Sequence, residues 1–267
     1  MSTYVMEMGD ASHLELERLR SLETIADPGS RRVLAQLGIT GGWRCLEVGA
    51  GAGSMALWMA DQVGEFGRVV ATDIDTRHLG PAAEHGIEIR IHNVLADSMA
   101  EWSFDLVHAR MVVEHLPDPP TTIRRMSACL APGRWLVVED LDLRETTITR
   151  IVHKAAQSGT ADSVELMLRG TVRAMTAVGG HPTLGPRLPE TLSDAGLMDT
   201  GSYSRVPSLR GGLTGFYMLS LRRLGPTLIK TGQLDQDGYD RAMAQFEDPS
   251  LRFPAPPLVA AWGRVPE

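Results

Sequence analysis

The segment LEVGAGAGS, Leu46 to Ser54, constrains this 267-residue chain more than any other. An apolar run from Trp43 to Val48, with Glu47 near its end, leads into glycines at 49, 51 and 53, and MALWMADQV then has the pattern of a helix. Strand, glycine turn and helix let backbone come close to an anionic or polar ligand, because glycine makes the tight turn and places no Cβ in the way. The spacing is E-x-G-x-G-x-G. Its third glycine falls one residue earlier than in the dinucleotide fingerprint G-x-G-x-x-G, and Ser54 stands where that fingerprint needs its last glycine. The offset favours S-adenosylmethionine (SAM) over NAD as the bound cofactor.

A chain of this length can bury the core of one large α/β domain, or of one domain with insertions. Its hydrophobic content of 43% is ordinary for a globular protein. A formal charge of −7 argues against a general nucleic-acid binder, which needs a basic face. Lys154 and Lys230 are the only lysines among 26 basic residues, a bias that fits a GC-rich genome without special arginine chemistry. Cys45 and Cys129 have apolar neighbours and read as small buried hydrophobes of a reducing compartment. The N-terminus lacks the pattern of a secretory signal, and no run of 18 apolar residues is present. The expected location is cytoplasmic, with no membrane insertion.

Hydrophobic periodicity organises the rest. His13 to Ile25 places Leu14, Leu16, Leu19, Leu22 and Ile25 largely on one helix face. Asp27-Pro28-Gly29-Ser30 is expected to interrupt it before a second helix, RRVLAQLGI, which ends at Gly38. Strands are expected at 43–48, 68–74, 87–94, 104–109 and 134–140, alternating with helices, which implies a parallel sheet covered on both faces. Beyond strand five come helical patterns over 144–180, the helix RLPETLSDAG, the strand-like MDTGSYSRVPSL, more helix over 211–247 and a final strand within 256–265. The fold expected is a Rossmann-like, seven-stranded, mostly parallel α/β sheet with N-terminal helices and helical insertions over its carboxyl edge, where open α/β sheets bind ligands. Residues 1–41 form an N-terminal helical lid to a cofactor-binding core at 42–143. Cap insertions occupy 144–186 and 211–250, and 187–210 with 251–267 complete the core, all within one domain.

Chemistry follows from position. Asp73, at the end of strand two, can accept both ribose hydroxyls of an adenosine-containing cofactor, while its bland role is that of a turn acid. Asn93 could hydrogen-bond the adenine edge with Val94 packed on the ring, and Asp97 competes for that role.

Taken together, LEVGAGAGS, VVATDID, the HNV of strand three and FDLVHARMVVEHLPDP resemble, in order and spacing, a class I SAM-dependent methyltransferase. The tail, from GGHPTLGPRLPETLSDAGL to VAAWGRV, is similar to actinobacterial small-molecule methyltransferases related to the ubiquinone/menaquinone type. The resemblance implies that Glu47, Gly49, Ala50, Gly51 and Gly53 cradle the methionine half of SAM. It assigns ribose and adenine to Asp73 and Ile74, adenine to Asn93 and Val94, and the cofactor lining beyond strand four to Ala109 and Arg110. Asn93 departs from the aspartate common at that position, although an amide oxygen still accepts a hydrogen bond. Arg18 in the N-terminal helix is a candidate for the SAM carboxylate, against the alternative of a solvated helix-face arginine, and Tyr4 would close the same lid.

A nucleophile that starts protonated needs a base. His115 is the candidate, with Glu114, His153 and His181 behind it and a helix-to-loop cap as its bland role. His108 is expected to pack at the end of strand four. Glu139, Asp140 and Asp142 follow strand five, but further oxygen ligands are not evident and no metal is expected. Met167, Leu168, Met175, Phe216, Tyr217, Met218 and Leu221 make the insertions apolar, which suits a small hydrophobic acceptor, secondary-metabolite or isoprenoid-like, and not a nucleic acid. Homo-oligomerisation is left open. The alternatives are a SAM-binding enzyme of non-methylating, cyclisation-type chemistry, a non-catalytic SAM-binding protein, and a NAD-dependent oxidoreductase, the last disfavoured by Ser54.

Overall fold

The computed structural model describes residues 12–98, 103–212, 215–232 and 234–267. In chain order the elements begin with helix α1 (Ser12–Gln36), strand β1 (Arg44–Val48), α2 (Ser54–Val63), β2 (Arg68–Asp73), α3 (Gly80–Glu84) and β3 (Glu88–Ile91). There follow β4 (Phe104–Arg110), α4 (Pro119–Ser127), β5 (Leu130–Leu141), α5 (Glu145–Ala155), α6 (Ala161–Ala177) and α7 (Leu188–Asp194). The remainder is β6 (Met198–Arg205), β7 (Ser208–Arg210), α8 (Phe216–Lys230), α9 (Gln236–Glu247), β8 (Arg252–Pro254) and β9 (Leu258–Arg264).

Two compact units result, one of residues 26–141, 183–205 and 258–267, the other of residues through Ile25 with 142–182 and 206–257. The first holds a seven-stranded sheet in the order β3-β2-β1-β4-β5-β9-β6. Strands β1 to β5 run parallel, and β9 runs antiparallel between β5 and β6. The strand sequences are apolar on both faces because helices cover both. One face buries Leu46, Val70, Val107, Leu136 and Ile123. The opposite face packs Cys45, Ala71, Leu106 and Val137 against Val33 and Leu34 of α1 and Met55 and Met59 of α2. Strand order reverses between β1 and β4, and that is where such sheets open a crevice at their carboxyl ends.

The break expected at Asp27–Ser30 is absent, and α1 runs through Pro28 as one helix where two were expected. Pro28 faces solvent while Ala26, Asp27, Gly29 and Ser30 are buried, so water can satisfy the carbonyl that the missing N–H would have bonded. Asp27 also accepts hydrogen bonds from Arg31 at 2.7 Å and from Ser54 and Arg110 at 3.0 Å, which holds this turn of helix in place. Strand three is shorter than expected. It ends at Ile91, because the Asn93 N–H turns to the Asp97 carboxylate at 2.7 Å and the Leu95 N–H to the Asn93 side-chain oxygen at 3.0 Å.

In the second unit, α5, α6, α8 and α9 bury Met167, Leu168, Met175, Tyr217, Met218 and Leu221 in their own interior. Tyr217 stacks on Phe253 at 5.1 Å between ring centres and meets Phe246 edge-on at 5.7 Å. The paired strands β7 and β8 belong to this unit, although the sequence pattern assigned 187–210 and 251–267 to completion of the sheet. No helix among the described residues is long and apolar enough to cross a membrane.

Candidate functional site

The glycine turn joins β1 to α2 within the sheet unit. Gly49, Gly51 and Gly53 have φ of 70°, 59° and 92°, the left-handed region that costs an L-residue strain. Gly49 is also the point of closest approach, since a Cβ there would lie 2.3 Å from Cγ2 of Val112, just beyond β4. The turn therefore nestles into the switch point. The N–H groups of Gly49 and Ala50 both donate to the Thr72 carbonyl, at 2.8 and 3.0 Å. Gly51 donates to Asp73 Oδ2 at 2.9 Å, and Asp75 donates to Oδ1 at 3.0 Å. Burial raises the Asp73 pKa, with the backbone N–H groups of Asp75, Gly51 and Ile74 acting against the shift. Ile74 beside it is half exposed and offers an apolar surface.

Asn93 is exposed in the loop past β3, which Arg125 pins by donating to the carbonyls of Val94 and Asp97 at 2.7 and 2.6 Å. Val94 and Ala109 are buried in the sheet's apolar core, so neither side chain presents an open face. Arg110 is nearly enclosed and donates to Ser30 Oγ and Asp27 Oδ1, each at 3.0 Å, while Ser54 at the start of α2 donates to the same Asp27 oxygen. Asp27 thus links α1, the glycine turn and the end of β4. Arg18 lies in the other unit, where it forms a two-pronged pair with Glu15 at 2.7 and 3.0 Å and stands over the Phe216 ring. Tyr4 lies outside the described residues.

Glu47 and His108 meet inside the sheet. His108 packs two residues before the end of β4, fully buried in a central strand, with Nδ1 2.6 Å from Glu47 and Nε2 2.9 Å from Glu139. Burial alone would lower its pKa, but the two flanking carboxylates outweigh that and push it up to about 9. With a carboxyl group within hydrogen-bond distance of each ring nitrogen, the arrangement favours the protonated imidazole.

On the other face of β4 and β5, His115 ends a short 3-10 turn, Val113–His115, with its side chain 30% exposed and Nε2 3.6 Å from Glu114 Oε1. Glu114 is buried, accepts the Leu141 N–H at 2.9 Å, and is pushed up to about 7 by burial. Asp140 beside it is fully buried and raised well above the ordinary carboxyl range by burial and by the charge of Glu114. Neither Asp140 oxygen has a well-formed hydrogen bond. Met111 adopts φ 54°, rare for a side chain of its size, as the chain turns from β4 toward this group. Asp142 belongs to the other unit and accepts hydrogen bonds there from Arg144 at 2.9 Å and Thr147 at 2.8 Å.

Sheet order, the glycine turn and an acid at the end of β2 together define a Rossmann-like α/β protein. Residues 13–168 match the methyltransferase-domain family, and the chain belongs to it. The cofactor that goes with this family is SAM, and the cradle fits it: backbone without Cβ faces the switch point, an acid ends β2 and an apolar side chain follows. Methyltransferase GfsG of Streptomyces halstedii is 30% identical over 159 residues, 54% of this chain and 56% of that protein. Methyltransferase str2 of Strobilurus tenacellus is 32% identical over 148 residues, 54% of this chain and 50% of its own. The chain thus spans about half the length of the curated relatives it matches. In fold it is similar to Haemonchus contortus phosphoethanolamine N-methyltransferase 2, solved with S-adenosylhomocysteine. That likeness has a TM-score of 0.57 at 15% identity, over 97% of this chain and 59% of that one.

Proposed function

We propose that the protein transfers a methyl group from SAM to a small, apolar acceptor of secondary-metabolite or isoprenoid-like type. Family membership, with the glycine cradle at the switch point, carries this reading. The sulfonium supplies an activated methyl group, so the chain has to hold the cofactor, orient a nucleophile and exclude water. Asp73 accepts the ribose hydroxyls through the lone pairs that Gly51 and Asp75 leave available, and Ile74 packs on the adenine. The backbone of residues 49–53 receives the methionine portion, with Glu47 behind it. His115 takes the proton of a hydroxyl acceptor, and Glu114, 3.6 Å away, supports the resulting imidazolium. An acidic chain with an apolar helical unit suits a small hydrophobic acceptor.

Calorimetry with SAM, followed by incubation with methyl-labelled SAM and a metabolite extract, tests the reading. Binding and label in a small apolar product are expected. Absence of heat with both SAM and S-adenosylhomocysteine overturns the cofactor assignment. SAM bound with a product of unchanged methyl count turns the reading to non-methylating chemistry.

A further inference from the structure

Glu47, His108 and Glu139 lie in one row across the three central strands, because the sheet register pairs Glu47 of β1 with His108 of β4 and His108 with Glu139 of β5. All three are buried, with His108 at 0% exposure. Burying three ionisable groups in a sheet interior is costly, and such a row persists only where each charge has its partner. The row sets an acidic side chain on each side of one imidazole. It sits one residue before the end of β1, directly beneath the turn that cradles the cofactor. A SAM molecule carries an ammonium and a sulfonium against one carboxylate, which leaves it one positive charge. An acid-rich row suits a cationic ligand.

Glu47 has one oxygen, Oε2, committed to His108. That bond fixes the carboxylate's rotation and leaves Oε1 outside the contact with His108. Glu139 serves the same end one strand further away: by taking the second ring N–H it keeps the imidazole doubly protonated and in plane.

We infer that His108 is a positioning residue for the cofactor: held between Glu139 and Glu47, it aims the Glu47 carboxylate at the ammonium group of SAM. The inference rests on the reading that Glu47 lies behind the methionine portion. His108 touches no reacting atom and acts only through Glu47, so its loss weakens cofactor binding selectively at the amino-acid end.

That selectivity supplies the test. Calorimetry on the full chain compares SAM with 5′-methylthioadenosine, which keeps the adenosine and lacks the amino-acid portion. H108Q is expected to weaken SAM at least about tenfold, the scale of a lost charge-assisted hydrogen bond, and to leave 5′-methylthioadenosine within about twofold. E47Q should behave likewise, and the double variant H108Q/E47Q should be no worse than E47Q alone. Should H108Q fail to fold, E139Q removes one anchor and retains the imidazole, and a smaller loss confined to SAM is expected. Equal weakening of both ligands by H108Q makes the row a purely structural device and overturns the inference. Loss with E47Q but not with H108Q or E139Q overturns it and leaves Glu47 in place. An unchanged SAM affinity in E47Q removes the reading of Glu47 itself.

Discussion

Gly49→Ala is the sharpest probe of the cradle, because two separate costs can be assigned to it and one can be removed. The residue has φ 70°, and holding an alanine in the left-handed region costs about 1–2 kcal/mol. The new Cβ would lie 2.3 Å from Val112 Cγ2, far inside van der Waals contact, and relief of such overpacking costs about 1–3 kcal/mol. Alanine also restricts the unfolded chain, which returns about 0.4–1 kcal/mol. The net expectation is a loss of about 3 kcal/mol in urea unfolding monitored by circular dichroism, with SAM binding lost at the same time. Val112→Ala deletes Cγ2 and leaves the Val112 Cβ 3.5 Å away, an ordinary contact. In the double variant the steric part should vanish and the dihedral part remain, a coupling of about 1–3 kcal/mol in favour of the pair. If Gly49→Ala costs under about 0.5 kcal/mol, or Val112→Ala recovers nothing, the close approach of the turn to the segment beyond β4 is wrong.

Stability should fall as pH rises above about 5, in two stages. Glu114, with an ordinary value of 4.5 and held at about 7 in the fold, gives stability present below 4.5 and lost as pH climbs through 7. His108, ordinarily at 6.5 and raised to about 9, adds a second loss between those values, on the order of 3 kcal/mol if fully expressed. Asp75 and Asp142, lowered by Arg77 and Arg144, act oppositely and lose their contribution as pH falls below the carboxylate range. Urea titrations at several pH values should therefore show a maximum at about pH 5, and Glu114→Gln should shrink the first stage, to which the raised Asp140 also contributes, and leave the second; a profile level from 5 to 9 contradicts both assignments. For Asp73→Ala, calorimetry should show SAM affinity reduced more than about tenfold, or at least about 1.4 kcal/mol, and an unchanged dissociation constant removes Asp73 from the site.

The parts of the fold written locally were readable in the chain. The glycine turn, the acid that closes β2 and the alternation of apolar strands with helices depend on neighbours a few residues apart, and each lies where its pattern placed it. What the pattern could not show is set by tertiary contacts. Pro28 reads as a breaker, yet Asp27 takes hydrogen bonds from residues 27 and 83 positions away, and these keep the helix whole. Likewise, Glu47 and Glu139 stand 61 and 31 residues from His108 and meet it only because β1, β4 and β5 are adjacent, an order that strand spacing alone does not specify. The strands β7 and β8, three residues each, are too short to announce a pairing across more than forty positions. A histidine between two apolar residues in a central strand was the available hint: a buried ionisable group there requires partners, and glutamates near the ends of two other strands were in view.

The position of β9 has a consequence for how the chain is made. This strand forms hydrogen bonds with β5 on one side and β6 on the other, yet it follows both in the sequence. A nascent chain that has reached residue 257 therefore holds two completed strands whose facing edges have no partner between them. Unpaired edges of this kind recruit strands from other molecules. Synthesis of residues 258–264 is then the step that turns an adhesive intermediate into a continuous sheet, and a truncation there would fail by aggregation before it failed by loss of chemistry.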